Sequence, residues 1–419
     1  MRTDKMTVIT VPYGNESIDV NIPDSNMGDI LMPCEMEVES TPEELVKNAL
    51  ANPVNSKKLS EIVTPNSNVA IIVSDITRPS PSATMLPTLL EELKSGGCTE
   101  ENVTVVCALG LHRQQTEEEI KKILGPLYGK VRFVEHNKEN CVKVGTTSRG
   151  TPVEISKEVY ESDIVVCTGN IEFHYYAGYS GGAKAILPGV SSNNSVITNH
   201  KMMTIEEATT GNIDSPVRQD MEEAAQIFGP DFLLNVVLNS KKEIVRAVAG
   251  NIIAAHRKGV ECVDKMYKVE VEPADVVITA TDVSKGMNLY QAYKPLDNAK
   301  MAVIDGGTIL LAAPCREGFG HEIFERWSRQ CSCPVETIEK FNSNFEFGGH
   351  KAAFIAQLAM KHDLLMYSEM PEKDVQDVFF KPVPDIQQAI DSIIAKNPAV
   401  RIHFMPHGQS TLPIQKSRI

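Results

Sequence analysis

Nothing in this 419-residue chain gathers basic residues into a long tract, and its formal net charge is −14. That balance excludes a general polyphosphate or nucleic-acid partner, so any anion has to be held locally. Long apolar runs are missing as well. None reaches the roughly 18 residues a bilayer span needs, and the opening MRTDKMTVIT lacks the apolar core of a secretory signal. The expectation is a cytoplasmic protein with no membrane partner. Paired cysteine frames are absent too: the nine cysteines are odd in number and scattered, which makes reduced thiols the default. Cys331 and Cys333 form a C-x-C with no second pair nearby, a pattern that suits a loop better than a metal site.

What is present is length and alternation. A chain of this size fits two domains, each able to bury a sizeable core. From about residue 68, short β-branched runs at 69–75, 103–110, 131–136 and 163–169 alternate with helical segments, the pattern of a parallel sheet with crossover helices. A fresh alternation begins at 272–282 and continues through 301–314, helices near 320–328 and 351–361, and the run LLMYSE. The fold class expected is therefore α/β, with two domains that each hold a largely parallel sheet flanked by helices. The expected division is 1–270 and 271–399, crossing in the charged stretch from Asp264 to Pro273, with the closing strand in 400–419 assignable to either domain.

In an open parallel sheet, ligands bind beyond the carboxyl ends of the strands. The first strand runs into Ser74-Asp75-Ile76-Thr77-Arg78-Pro79, the second into Gly110-Leu111-His112-Arg113, and the fourth into Gly169-Asn170-Ile171-Glu172-Phe173-His174. In the second domain a strand runs into Thr281 and Asp282, followed by Ser284, Lys285, Tyr290, Gln291 and Lys294. These ends aim an acid, two guanidinium groups and two imidazoles at one cleft. Taken singly, Asp75 equally suits a helix cap and each histidine a solvated loop position. Two histidines, His112 and His174, at one sheet edge favour function.

The most unusual stretch is Tyr175-Tyr176-Ala177-Gly178-Tyr179-Ser180-Gly181-Gly182-Ala183-Lys184-Ala185-Ile186-Leu187-Pro188-Gly189. Glycines let backbone amides approach an anion, and a lysine directly after them adds charge or acts as a nucleophile, which suits a phosphate-bearing ligand. The phosphate-loop rule fails because Ala185 follows the lysine. Gly178-Tyr179-Ser180-Gly181-Gly182 satisfies the G-x-S-x-G of a hydrolase elbow, but that elbow needs a strand immediately before the serine and a helix after it. Here the last clear strand ends near Gly169, and Pro188 interrupts a helix starting at the glycines. Farther on, His200 suits a helix surface or, as a neutral imidazole near a lysine-anchored group, a transition-metal ligand.

Assembled, these residues make the chain resemble the nickel-pincer lactate racemase family. The matching motifs are Ser74-Asp75-x-Thr77-Arg78-Pro79, Gly110-x-His112-Arg113, His174 with Ser180-Gly181-Gly182-Ala183-Lys184-x-Ile186-Leu187-Pro188-Gly189, Asn199-His200, and Tyr290-Gln291-x-x-Lys294. The resemblance implies two α/β domains with the active site in the cleft between them. It also implies a racemase or epimerase of a small-molecule 2-hydroxy carboxylic acid, working by hydride transfer to and from a nickel-pincer nucleotide, a pyridinium mononucleotide bound covalently to Lys184 through a thioamide. His200 would complete the nickel coordination, and His112 and His174 would be the acid/base pair. Arg78, Gln291 and Lys294 would hold the substrate. Asp75, Ser180, Gly181, Gly182 and Tyr290 match cofactor-site positions. Enzymes that build the cofactor are implied partners.

The chemistry explains the residue types. Removing the α-hydrogen of a 2-hydroxy acid as a proton leaves a poorly stabilised dianion, whereas removing it as hydride leaves a stable keto acid; a cationic cofactor ring accepts that hydride. One base must take the hydroxyl proton for each enantiomer, and two imidazoles suit that work. The chain departs from the lactate enzyme in one respect. A tryptophan is expected near the substrate, but the single tryptophan, Trp327, lies in a helical segment, and in Phe345-Glu346-Phe347-Gly348-Gly349-His350-Lys351 it is His350 that takes its place as a substrate contact. A polar residue there suits a substrate larger or more polar than lactate. Two other classes stay open: a non-catalytic phosphate- or nucleotide-binding protein with an unmodified Lys184, and a metal-assisted lyase or dehydratase that releases water.

Overall fold

The computed structural model of the chain describes residues 5–416 apart from 282, 284, 345 and 347. The expectations placed on Asp282, Ser284, Phe345 and Phe347 lie outside the described residues. The chain divides into two compact units, Glu35–Met266 and Met1–Cys34 with Tyr267–Ile419. This corrects the expected division at its first end, because the opening residues belong with the C-terminal half. The hairpin of Met6–Tyr13 and Glu16–Pro23 buries Ile9, Val11, Val20 and Ile22 in one core with Val276, Ile278, Leu310 and Phe404. The short strand Met27–Ile30 then pairs in parallel with Ile402–Met405. The closing segment is thereby assigned to this second unit.

The Glu35–Met266 unit is built on a six-stranded sheet in the order Ile244–Gly250, Phe232–Leu238, Ile164–Ile171, Val69–Ser74, Val103–Ala108, Arg132–Glu135. Only the pairing between Ile244–Gly250 and Phe232–Leu238 is antiparallel. The run Val69, Ala70, Ile71, Ile72 and Val73 is buried throughout, at 0–1% exposure. It reads as continuously apolar because both faces of a parallel sheet are covered. Each such Val or Ile contributes roughly 1.5–3 kcal/mol relative to exposure. Ile164–Ile171, Val69–Ser74 and Val103–Ala108 are neighbours running the same way, so their carboxyl ends emerge side by side.

The second unit repeats the plan. Its six strands, Lys381–Pro382, Asp363–Tyr367, Val303–Ala312, Ala274–Ala280, Ile402–Met405 and Met27–Ile30, are all paired in parallel. After Ala274–Ala280 comes the helix Leu289–Ala299, capped by Asn288, whose side chain accepts from the Gln291 amide at 3.1 Å. Tyr290, Gln291 and Lys294 sit on that helix at spacings that share one side. Among the described residues no helix is long and apolar enough to cross a membrane.

Candidate functional site

The first two strand ends converge on an acid–imidazole pair. Asp75 follows the Val69–Ser74 strand directly, and its carboxylate accepts from the Thr77 amide (3.0 Å) and hydroxyl (2.6 Å) while its other oxygen meets Nδ1 of His112. It therefore does not cap the next helix, Ser82–Ser95, whose N-cap is Pro81. His112 hangs from a tight turn in which its amide bonds Leu109 (2.8 Å) and Gly110 takes φ +54°. Burial by itself would raise the Asp75 pKa, but hydrogen bonds from His112 and Thr77 outweigh it and hold the carboxyl below its usual range. Arg78 is exposed, and among the described residues its guanidinium has no ion pair. Arg113, expected beside it, is drawn off by a two-pronged contact with Glu119 at 2.7 and 2.8 Å.

The third strand end forms something the alternation pattern did not predict. Ile164–Ile171 is followed by a two-residue hairpin, Phe173–His174 against Gly178–Tyr179. A strand does immediately precede Ser180, contrary to the expectation, yet no hydrolase elbow results. The Ser180 hydroxyl donates to the Asn170 carbonyl (2.8 Å) and accepts from the Glu172 amide (2.9 Å), and the imidazole of His256 bonds the Ser180 carbonyl (2.8 Å), not its hydroxyl. Only a single 3-10 turn, Gly182–Ala185, follows.

The glycines are required, though for a different reason from the one expected. Gly181 and Gly182 take φ +70° and +58°, and the Gly182 amide donates to Oδ1 of Asn235 (2.8 Å) instead of remaining free for an anion. A Cβ on Gly182 would stand 2.7 Å from the His256 ring, and one on Gly181 2.6 Å from Asn235. The loop is further clamped by Arg218, fully buried, which donates to the carbonyls of Ala177 (3.3 Å), Gly181 (3.1 Å) and Tyr179. Its far end is tied to the His112 turn, because the Gly110 amide donates to the Gly189 carbonyl at 3.0 Å.

Lys184, His174 and His200 gather around Tyr176. The Lys184 Nζ lies 5.4 Å from the Tyr176 ring centre, His174 meets that ring edge-on at 4.5 Å, and the Tyr176 hydroxyl is 2.7 Å from Nε2 of His200. His200 ends the helix Asn193–His200, capped by Ser192. Burial, then the like charges of Arg218 and Arg78, push the Lys184 ammonium well below its usual pKa. Burial, with the charge of Lys184, does the same to His174 and lowers His200 to about 3. The cluster thus sets an amine, its pKa pushed down by burial and neighbouring guanidinium groups, among imidazoles whose protonation burial disfavours.

In the second unit Tyr290 stacks on His321 (4.8 Å between centres), and burial raises its pKa to about 12. The Gln291 amide oxygen accepts from Lys285 at 3.2 Å. His350 is fully buried at the start of the helix Gly349–Lys361, where Nδ1 accepts from the Gly348 amide (3.1 Å) and the ring packs on Phe354. Its neighbour Lys351 lies over the rings of Tyr293 (4.1 Å) and Tyr290 (5.5 Å), and burial, reinforced by Lys294 and Lys285 against Asp297, brings it to about 7. Trp327 is on a helix, Glu322–Gln330, and is fully buried.

Sequence reasoning overlooked Tyr176, Arg218, Asn235 and His256 as parts of this arrangement. Arg218 left one trace: with Met221 and Ala225 it falls at spacings that share the buried face of the helix Pro216–Phe228. Among the described residues, no group of three or more His, Cys, Asp or Glu side chains could hold a metal ion. A buried imidazole near an amine in a cationic setting fits a metal carried by an anionic group attached through that amine.

Two family models match the chain, lactate racemase N-terminal domain over residues 13–211 and lactate racemase C-terminal domain over 269–412. The lactate racemase of Thermoanaerobacterium thermosaccharolyticum is 35% identical over 429 aligned positions, covering 98% of this chain and all of that one. That of Lactiplantibacillus plantarum is 29% identical, covering 96% and 99%. The solved structure of the lactate racemase apoprotein from T. thermosaccharolyticum superposes with a TM-score of 0.88 at 34% identity, over 97% of this chain and 100% of that one.

Proposed function

Because the chain belongs to the lactate racemase family, we propose that it inverts a 2-hydroxy carboxylic acid, lactate or a more polar relative, with a nickel-pincer nucleotide held on Lys184. It is an isomerase by its kinship. The observation that carries the finer reading is the Lys184 amine set beside two uncharged imidazoles, His174 and His200, around one tyrosine. Lys184 would hold the nucleotide covalently and His200 would supply one ligand to its nickel. When bound, that group supplies an electron-poor ring able to take up and return hydride.

The chain's own residues do the rest. Arg78, whose guanidinium has no ion pair among the described residues, takes the substrate carboxylate in a two-pronged grip, which fixes the carbon that reacts. Asp75 holds His112 through Nδ1, so Nε2 is left to accept the hydroxyl proton from one enantiomer. His174, uncharged, accepts it from the other. By the same kinship Gln291, Lys294 and His350 would contact the substrate; the ring of His350 lies 6.2 Å from that of Tyr290. Cofactor-building enzymes as partners and a cytoplasmic setting belong to the same reading.

The test is to co-express the chain with cofactor-making enzymes, weigh the intact protein, and follow a panel of 2-hydroxy acids by chiral chromatography. Added mass at Lys184 and inversion of at least one acid are expected, with turnover lost in Lys184→Ala while the circular dichroism is unchanged. Turnover retained in that variant, or release of water in place of inversion, overturns the reading.

A further inference from the structure

One side chain touches all three members of the lysine–imidazole cluster. Tyr176 is 5% exposed, its ring contacts Lys184 and His174, and its hydroxyl reaches Nε2 of His200, itself 7% exposed. We propose that Tyr176 is a positioning residue and metal placeholder: its hydroxyl occupies the imidazole nitrogen of His200 that a metal takes, while its ring spaces His174 from Lys184. This rests on the reading of His200 as a nickel ligand.

A neutral imidazole has one lone pair, and a phenol donor and a metal cannot share it. The other ring nitrogen, Nδ1, is buried without a hydrogen-bond partner among the described residues, so the Tyr176 hydroxyl is what satisfies the ring; the proton on Nδ1 and the lone pair on Nε2 are part of the proposal. In the cofactor-free chain the hydroxyl keeps that buried lone pair from going without a donor. On loading, it must withdraw. The Tyr176 backbone is pinned by Ser215, whose hydroxyl donates to the Tyr176 carbonyl at 2.7 Å, so the withdrawal is a side-chain movement. No atom of the aromatic ring is needed for the hydrogen bond, so hydroxyl and ring can be tested apart.

The full chain, cofactor-free and labelled with 15N-histidine, gives the first readout, with His200→Gln identifying the signal. In Tyr176→Phe the Nε2 resonance of His200 is expected to move downfield to the position of an imidazole lone pair without a donor. In the loaded enzyme the same variant is expected to release nickel to a chelator about two- to tenfold more slowly, the worth of one competing hydrogen bond. Tyr176→Leu, which removes the ring, is expected to lower the fraction of chains that gain mass at Lys184, whereas Tyr176→Phe leaves it unchanged. An unmoved His200 signal in Tyr176→Phe, or faster nickel release, overturns the placeholder while leaving the parent reading intact. If the wild type gains neither mass nor nickel, the parent reading falls and takes the metal role of Tyr176 with it.

Discussion

Replacing Gly182 by alanine separates two reasons for a glycine. At φ +58° an L side chain costs about 1–2 kcal/mol from backbone crowding alone. The new methyl would also stand 2.7 Å from Cγ and 2.8 Å from Cδ2 of His256. That ring is 1% exposed and held by its 2.8 Å bond to the Ser180 carbonyl, so it cannot swing aside without losing the bond. Overpacking of this kind costs about 1–3 kcal/mol more. Gly229 is the built-in control, with φ +79° and nothing within 4 Å of its added Cβ. Gly229→Ala should therefore cost only about 1–2 kcal/mol, and Gly182→Ala about 2–5 kcal/mol. Hydrogen exchange read by mass spectrometry on peptides of the Ile164–Ile171 strand, at increasing urea, reports this unit separately from the other. In the double variant Gly182→Ala, His256→Ala the crowding cost should vanish, and so appear as the coupling energy of the cycle. If the two glycine variants agree within about 0.5 kcal/mol, close packing is not what position 182 requires.

Acid should weaken the Glu35–Met266 unit through its buried imidazoles. Burial holds His256 and His200 at about 3 against an ordinary 6.5, so between those values the unfolded chain binds protons the folded one refuses. Stability then falls as pH drops from about 6.5 toward 3, by up to about 1.4 kcal/mol per pH unit for each histidine. His256→Asn should flatten that slope in pH-dependent urea titrations, and an unchanged slope would count against it. Asp75→Asn should reduce turnover of the loaded enzyme by about 100-fold or more with KM within a fewfold, because His112 loses the carboxylate that orients it; an unaltered pH–rate profile would remove Asp75 from the mechanism.

The strands were legible because β-branched runs such as VAIIV are continuous and buried on both faces, and the strand ends correctly pointed to one sheet edge. The ownership of the first 34 residues was not legible: among the described residues Met27–Ile30 pairs only with Ile402–Met405, and nothing local in either run names the other. In the site, the loop of Lys184 stood out by composition, but composition could not distinguish amides aimed at an anion from glycines crowded by Asn235 and His256. Arg113 carried the right chemistry at the expected place, and its contact with Glu119 drew it off.

The Glu35–Met266 unit interrupts its neighbour as one uninterrupted insert. A ribosome therefore completes the lysine-bearing half while the other half is still only a hairpin and an unmatched strand. Residues 27–30 have to remain unpaired until residue 402 has been translated, and a transcript cut short by a few dozen codons would leave a finished insert attached to a frame that never closes.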